Sequence, residues 1–101
     1  MRQDFAEGTY TVNFSVELPR GRYEAMVISG CEDAATVTTI RSDNGYYAGG
    51  EQVPAGCYQV EVIPMHYKRD GIARLQISTE SGSKWRVNGI FINMVKGYGN
   101  A

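Results

Sequence analysis

Residues 10–18 (YTVNFSVEL) alternate apolar and polar side chains without an exception. Tyr10, Val12, Phe14, Val16 and Leu18 stand at one parity, and Thr11, Asn13, Ser15 and Glu17 at the other. A period of two over this length predicts a strand with one buried face and one wet face. Pro19-Arg20-Gly21 turns the chain, and residues 22–29 (RYEAMVIS) follow with Tyr23, Ala25 and Val27 on one face. Met26 and Ile28 lie on the other face beside Glu24, so this strand is apolar on both sides and belongs in the middle of a sheet. Residues 35–42 (ATVTTIRS) are rich in β-branched side chains, which suit a pleated surface. Asp43-Asn44-Gly45 is a turn signal, and Pro54-Ala55-Gly56 is another after a short segment at 46–53.

Alternation resumes at residues 57–63 (CYQVEVI), which predicts Tyr58, Val60 and Val62 inward and Gln59 and Glu61 outward. Residues 64–71 (PMHYKRDG) read as a loop or irregular edge. Residues 72–79 (IARLQIST) place Ala73, Leu75 and Ile77 on one face. After Ser81-Gly82-Ser83-Lys84, residues 85–95 (WRVNGIFINMV) form a last strand whose period breaks at Asn88-Gly89. A bulge there lets Val87, Ile90 and Ile92 share one face. No stretch has the spacing or length of a helix. Seven or eight strands with a turn every eight to twelve residues predict an all-β sandwich or small barrel.

The 101 residues make one domain, 1–101, with room for a single core and no deep catalytic cleft. A formal charge of −1 argues against nucleic acid as a partner. No apolar run has the length of a membrane-spanning helix. The opening MRQDFAEG lacks the apolar stretch of a signal peptide. That leaves a cytosolic protein or a module of a larger secreted chain, and the immediate start of strand-like sequence favours the second. Cys31 and Cys57 each follow a glycine at a strand end. A bridge between them would close a loop of about 25 residues and stabilise by roughly 3 kcal/mol; two free thiols, packing as small hydrophobes, are the equal alternative. One histidine and two distant cysteines do not make a zinc shell.

The segments Gly21-Arg22-Tyr23-Glu24-Ala25-Met26-Val27, Pro54-Ala55-Gly56-Cys57-Tyr58-Gln59-Val60, Arg69-Asp70-Gly71-Ile72-Ala73-Arg74-Leu75 and Trp85-Arg86-Val87-Asn88-Gly89-Ile90 resemble the galactose-binding-like jelly-roll modules attached to carbohydrate-active enzymes. These include carbohydrate-binding modules and the sandwich domains that accompany rhamnogalacturonan esterases. The resemblance runs from about Tyr10 to Val95 through short motifs that determine fold more than site. It implies an antiparallel jelly-roll β-sandwich of about eight strands, secreted as part of a larger protein. Its partners would be a polysaccharide or oligosaccharide and a parent catalytic domain in the same chain. Many such modules hold a structural Ca²⁺; Asp4, Glu7 and Asn93 are the oxygen donors near the chain ends, and their spacing matches no calcium motif.

Catalysis is disfavoured residue by residue. His66 is the lone histidine, no serine sits in a nucleophile elbow, and no glycine-rich loop opens a helix. The carboxylates Glu24, Glu61, Asp43 and Asp70 are scattered over strand faces and turns, where solvation accounts for them. Sugar recognition needs aromatic faces for C–H stacking and polar groups for hydroxyls, and seven Tyr and one Trp supply the aromatics. Tyr10, Tyr23 and Tyr58 fall on inward registers. Trp85 opens the last strand, where capping the core outweighs stacking on sugar. The candidate ligand-binding set is therefore Asp43, Asn44, Tyr46 and Tyr47 around one turn, His66, Tyr67, Lys68 and Arg69 around another, and Trp85. Lys68, Arg69 and Lys84 would suit an acidic polysaccharide such as pectin, although scattered solvated lysines are commoner. The polar sheet face, with Asn13, Ser15, Glu17, Glu24, Gln59, Glu61, Arg74 and Gln76, reads as solvated sheet surface, and it carries a modest apolar patch of Met26, Ile28 and Ile63. In an accessory domain that packs on a catalytic neighbour without binding sugar, that patch would be the docking face.

Overall fold

Each alternating segment of the sequence is a strand in the computed structural model, which describes residues 6–43 and 45–95. The strands are β1 (Ala6–Gly8), β2 (Val12–Leu18), β3 (Gly21–Cys31), β4 (Thr36–Ser42), β5 (Tyr47–Val53), β6 (Cys57–Tyr67), β7 (Gly71–Ser78) and β8 (Trp85–Met94). They form two four-stranded sheets of order β1-β8-β3-β6 and β2-β7-β4-β5. Every pairing is antiparallel, and β1 pairs with β8, β2 with β7, β3 with β6, and β4 with β5. These nested pairs are one long hairpin rolled over on itself, the jelly-roll arrangement.

The core lies between the sheets. Tyr23, Ala25 and Val27 of β3, Ile40 of β4, Ile63 and Met65 of β6, Leu75 and Ile77 of β7, and Trp85 and Val87 of β8 form one buried cluster. Tyr23 can be buried because its hydroxyl donates to the Pro19 carbonyl at 2.7 Å. Thr38 joins the layers: its hydroxyl accepts from Arg86 N at 3.1 Å and donates to Arg86 O at 3.3 Å. The bulge in β8 falls where the period breaks. Ile28 pairs with Gly89 and Ser29 with Val87, leaving Asn88 as the extra residue. Asn88 Nδ2 donates to the Gly30 carbonyl at 2.8 Å.

Three sequence expectations are corrected. The inward face of β6 is the opposite one. Ile63 pairs with Ala25 and Met65 with Tyr23, both pointing into the core, whereas Tyr58, Val60 and Val62 are about half exposed on the outer face. A strand has only two parities, and the core takes the one carrying Ile63 and Met65. Gln59 and Glu61 consequently point inward, yet stay partly exposed because β6 is the sheet edge. Ile63, 1 % exposed, is core and not part of any surface patch. Second, β6 runs on to Tyr67 through residues read as loop. Proline tolerates an edge strand, and Pro64 together with inward-pointing Glu61 discourages another strand from adding there. Third, Tyr10 lies outside the strand and is 64 % exposed, and Phe14 in β2 is 38 % exposed. The layer across from β2 ends in β1, only three residues long, so this edge of the core is thinly covered.

β5 carries a second bulge. Val37 pairs with Gln52 but Thr39 with Gly49, so β5 contains one extra residue there. Gly49 and Gly50 have φ of 80° and 91°, and a Cβ on Gly49 would collide with the Thr38 carbonyl oxygen. Gly49→Ala should therefore cost about 2 kcal/mol from backbone strain and displaced pairing. The readout is thermal unfolding followed by circular dichroism, with a drop of about 10 °C expected; an unchanged midpoint would mean the bulge can relocate freely.

Candidate functional site

The β4–β5 turn is built from its own polar atoms. Ser42 N donates to Tyr46 O at 2.9 Å, Gly45 N to Ser42 O at 3.0 Å, and Tyr46 N to Ser42 Oγ at 3.2 Å. Gly45 takes φ 93°, which a side chain would resist. Asp43 ties this turn to two other strands. Its Oδ1 accepts from the Tyr67 hydroxyl at 2.7 Å, and its Oδ2 accepts from Arg74 N at 3.2 Å. Asp43 N also donates to Arg74 O at 3.1 Å. Two segments that the sequence offered as separate candidates, around residue 43 and around residue 67, thus meet at one end of the sandwich.

Tyr46 stands next to this clamp, 52 % exposed. It forms one wall of a cleft of about 360 Å³ shared with Arg22, Glu24, Pro64 and His66, floored by Tyr23 and Met65. β3 and β6 bring the polar walls together, since Arg22 pairs with His66 and Glu24 with Pro64 across the ladder. Tyr46 also borders a second groove of about 360 Å³ with Arg41, Ser42, Gly45 and Tyr47. Tyr47 is 57 % exposed, and the Arg41 guanidinium lies 5.3 Å from its ring centroid. A neighbouring groove of about 290 Å³ runs past Asn13, Arg41, Asp43, Arg74 and Gln76. Tyr46 is common to the first two openings, so the turn joins them.

The other candidate residues fall elsewhere. Trp85 is 3 % exposed within the core and its Nε1 donates to the Tyr10 carbonyl at 2.6 Å, so its indole is closed to a ligand. Tyr67 is partly buried and its hydroxyl donates to Asp43, so it braces the turn that presents Tyr46. Lys68 and Arg69 are exposed in the turn between β6 and β7, outside the Tyr46 cleft. Asn44 and Asp4 lie outside the described residues. Glu7 is engaged by Lys84 and Arg86, each at 3.5 Å. It pairs in register with Arg86, whereas Asn93 is seven residues further along β8, about 23 Å at strand rise. Glu7 and Asn93 therefore cannot share a calcium ion. Among the described residues no cluster of three or more His, Cys, Asp or Glu side chains is arranged to hold a metal.

Burial, then the hydrogen bond and negative charge of Asp43, raises the Tyr67 hydroxyl far above its ordinary pKa. The neutral form is what the fold stabilises. That contribution is complete below the unfolded value near pH 10 and is lost as pH rises beyond it. Urea midpoints should consequently fall more steeply between pH 9 and 11 for the parent, on the order of the ordinary tyrosine range, than for Tyr67→Phe. Parallel curves would show that the Asp43–Tyr67 clamp contributes nothing in solution.

Arg22, Glu24 and Pro64 were not legible as site residues. Glu24 reads as a solvated sheet residue, and only the pairing of β3 with β6, strands far apart in sequence, sets these three beside Tyr46. Comparison with known proteins returns no matching family, no matching curated protein and no matching solved structure.

Proposed function

We propose that this domain is a non-catalytic carbohydrate-binding module that takes a sugar ring against Tyr46 and targets a parent enzyme to plant or cell-wall polysaccharide. One observation carries the reading: a half-exposed tyrosine walls a cleft of about 360 Å³ whose other polar walls are Arg22, Glu24 and His66. An aromatic face suits the C–H side of a pyranose, and planar guanidinium, carboxylate and imidazole groups suit its hydroxyls. The volume lies at the small end for ligand sites, roughly 300–1,000 Å³, which fits one or two sugar units. One guanidinium and one carboxylate in the cleft balance each other. Lys84 is engaged by Glu7, and Lys68 and Arg69 sit outside. These charges favour a neutral glycan over pectin.

A second reading, an accessory domain that docks on a catalytic neighbour, is favoured by the apolar rows next to the cleft. Met26, Ile28, Val60 and Val62 share the outward parity of Arg22, Glu24, Pro64 and His66. On the outer face of the β1-β8-β3-β6 sheet, Tyr58, Val60, Val62 and Phe91 are each 50–54 % exposed. Val62, Met26 and Phe91 line up across three strands, with Val60 and Ile28 in the next row. This is the apolar patch expected from Met26 and Ile28, with β6 and β8 side chains in place of Ile63.

Amide chemical-shift titration with neutral oligosaccharides separates the two. The carbohydrate reading expects shifts at residues 22–24, 45–47, 65 and 66. Silence there, with shifts at 60, 62 and 91 on adding the catalytic neighbour, would replace it with the docking reading.

A further inference from the structure

We propose that Cys31 and Cys57 are a redox-active dithiol that closes, by exchange with a small-molecule disulfide, into a staple between β3 and the edge strand β6.

The two cysteines are free and stand directly opposite each other, Cys31 as the last residue of β3 and Cys57 as the first of β6. Residues opposed in an antiparallel ladder point to the same side of the sheet, with Cα atoms about 4.5–5.5 Å apart. That spacing falls inside the disulfide range of about 4.4–6.8 Å, so closure requires side-chain rotation with little backbone movement. The local backbone holds the pair in place. Gly56 N donates to the Cys31 carbonyl at 2.8 Å, and Cys57 N donates to the Pro54 carbonyl at 3.1 Å. Gly30, with φ 140°, admits the close approach of the Cys57 carbonyl that a Cβ would block.

The partners differ in the way an exchange reaction needs. Cys57 is exposed and meets the oxidant, whereas Cys31 is buried and reacts only with what reaches it from β6. Arg86 Nη1 lies 2.8 Å from Cys31 Sγ, a contact that favours the thiolate. Backbone N–H donors at Asp33 and Ala34 act in the same direction, lowering the Cys31 pKa, with the charges of Arg86 and Lys84 adding to them against the effect of burial.

The chemistry balances in two steps. The Cys57 thiolate attacks one sulfur of a disulfide such as oxidised glutathione, breaking that S–S bond, forming a mixed disulfide and releasing one thiolate. The Cys31 thiolate then attacks Cys57 Sγ, forming the internal S–S bond and releasing the second thiolate. Two protein thiols are oxidised, the small disulfide is reduced to two thiols, and the two protein protons pass through solvent to the departing thiolates. β6 is held in its sheet by β3 alone, so the bond fixes the strand that supplies Pro64 and His66 to the cleft and Tyr58, Val60 and Val62 to the outer face.

The test starts from the fully reduced chain, treated with oxidised glutathione under native conditions, quenched by alkylation and weighed intact. The parent should lose both titratable thiols and two hydrogens of mass, with no lasting adduct. It should also melt higher by on the order of 10 °C. Cys31→Ser should stop at a stable glutathione adduct on Cys57, and Cys57→Ser should react more than tenfold slower than the parent. A parent that accumulates the mixed disulfide, links into dimers through Cys57, or oxidises only in denaturant would overturn the proposal. These parent outcomes decide the matter even if the buried Cys31→Ser variant does not fold.

Discussion

Trp85→Ala should remove about 3–5 kcal/mol of stability, as buried aromatic truncations do, from a total of roughly 5–15 kcal/mol for a domain of this kind. The indole is 3 % exposed at the start of β8 and belongs to the main buried cluster. Its Nε1 donates to the Tyr10 carbonyl at 2.6 Å, and the two rings meet edge to face with centroids 6.3 Å apart. Gly8 of β1 passes close enough that an added Cβ would lie 3.1 Å from the indole. Truncation therefore opens a cavity under β1 and orphans a carbonyl, two costs that add. Thermal unfolding should fall by more than about 12 °C. Trp85→Phe, which keeps most of the volume and loses the hydrogen bond, should cost distinctly less. A loss below about 1 kcal/mol for the alanine variant would mean that the indole is not packed as described.

Tyr46→Ala should weaken glycan binding at least tenfold, equivalent to about 1.4 kcal/mol, and leave the melting temperature nearly unchanged. The two readouts separate because the ring is 52 % exposed and lies outside the buried cluster. The turn that presents it is held by Ser42, Gly45 and Asp43 through contacts that involve none of its side chain. Tyr46→Phe should retain most of the affinity if stacking is what the ring supplies. Tyr47→Ala is the matched control: its ring faces Arg41 on the other side of the turn and is absent from the cleft with Arg22 and Glu24. Calorimetric titration of the three variants against the same oligosaccharide checks the order. Equal losses at Tyr46 and Tyr47 would move the site to the groove between them.

The fold was legible wherever alternation and a closed core coincide. Ala73, Leu75 and Ile77 of β7 point inward as their spacing predicts, and the break at Asn88-Gly89 is the bulge that keeps Val87, Ile90 and Ile92 on one face. Legibility failed at the sheet edges. In β6 both parities contain apolar residues, and the choice between Val60/Val62 and Ile63/Met65 depends on what the opposing layer covers, which no local window records. The same limitation placed Tyr10 and Tyr58 in the core, although only Tyr23 has both a covering layer and a partner for its hydroxyl. The candidate site was half visible. Asp43, Tyr46, His66 and Tyr67 stood out as aromatic and polar residues near turns, and the structure gathers them at one end. Arg22 and Glu24 join them only through long-range pairing of β3 with β6. Trp85 is an aromatic at a turn by sequence and a core residue by packing, a distinction the burial of its indole makes.

Affinity electrophoresis of the parent chain through gels containing xylan, β-glucan, mannan, xyloglucan or pectin tests the central proposal most directly. Retardation by at least one neutral polysaccharide, abolished in Tyr46→Ala and kept in Tyr47→Ala, is the predicted result. Unretarded migration across the whole panel would contradict it.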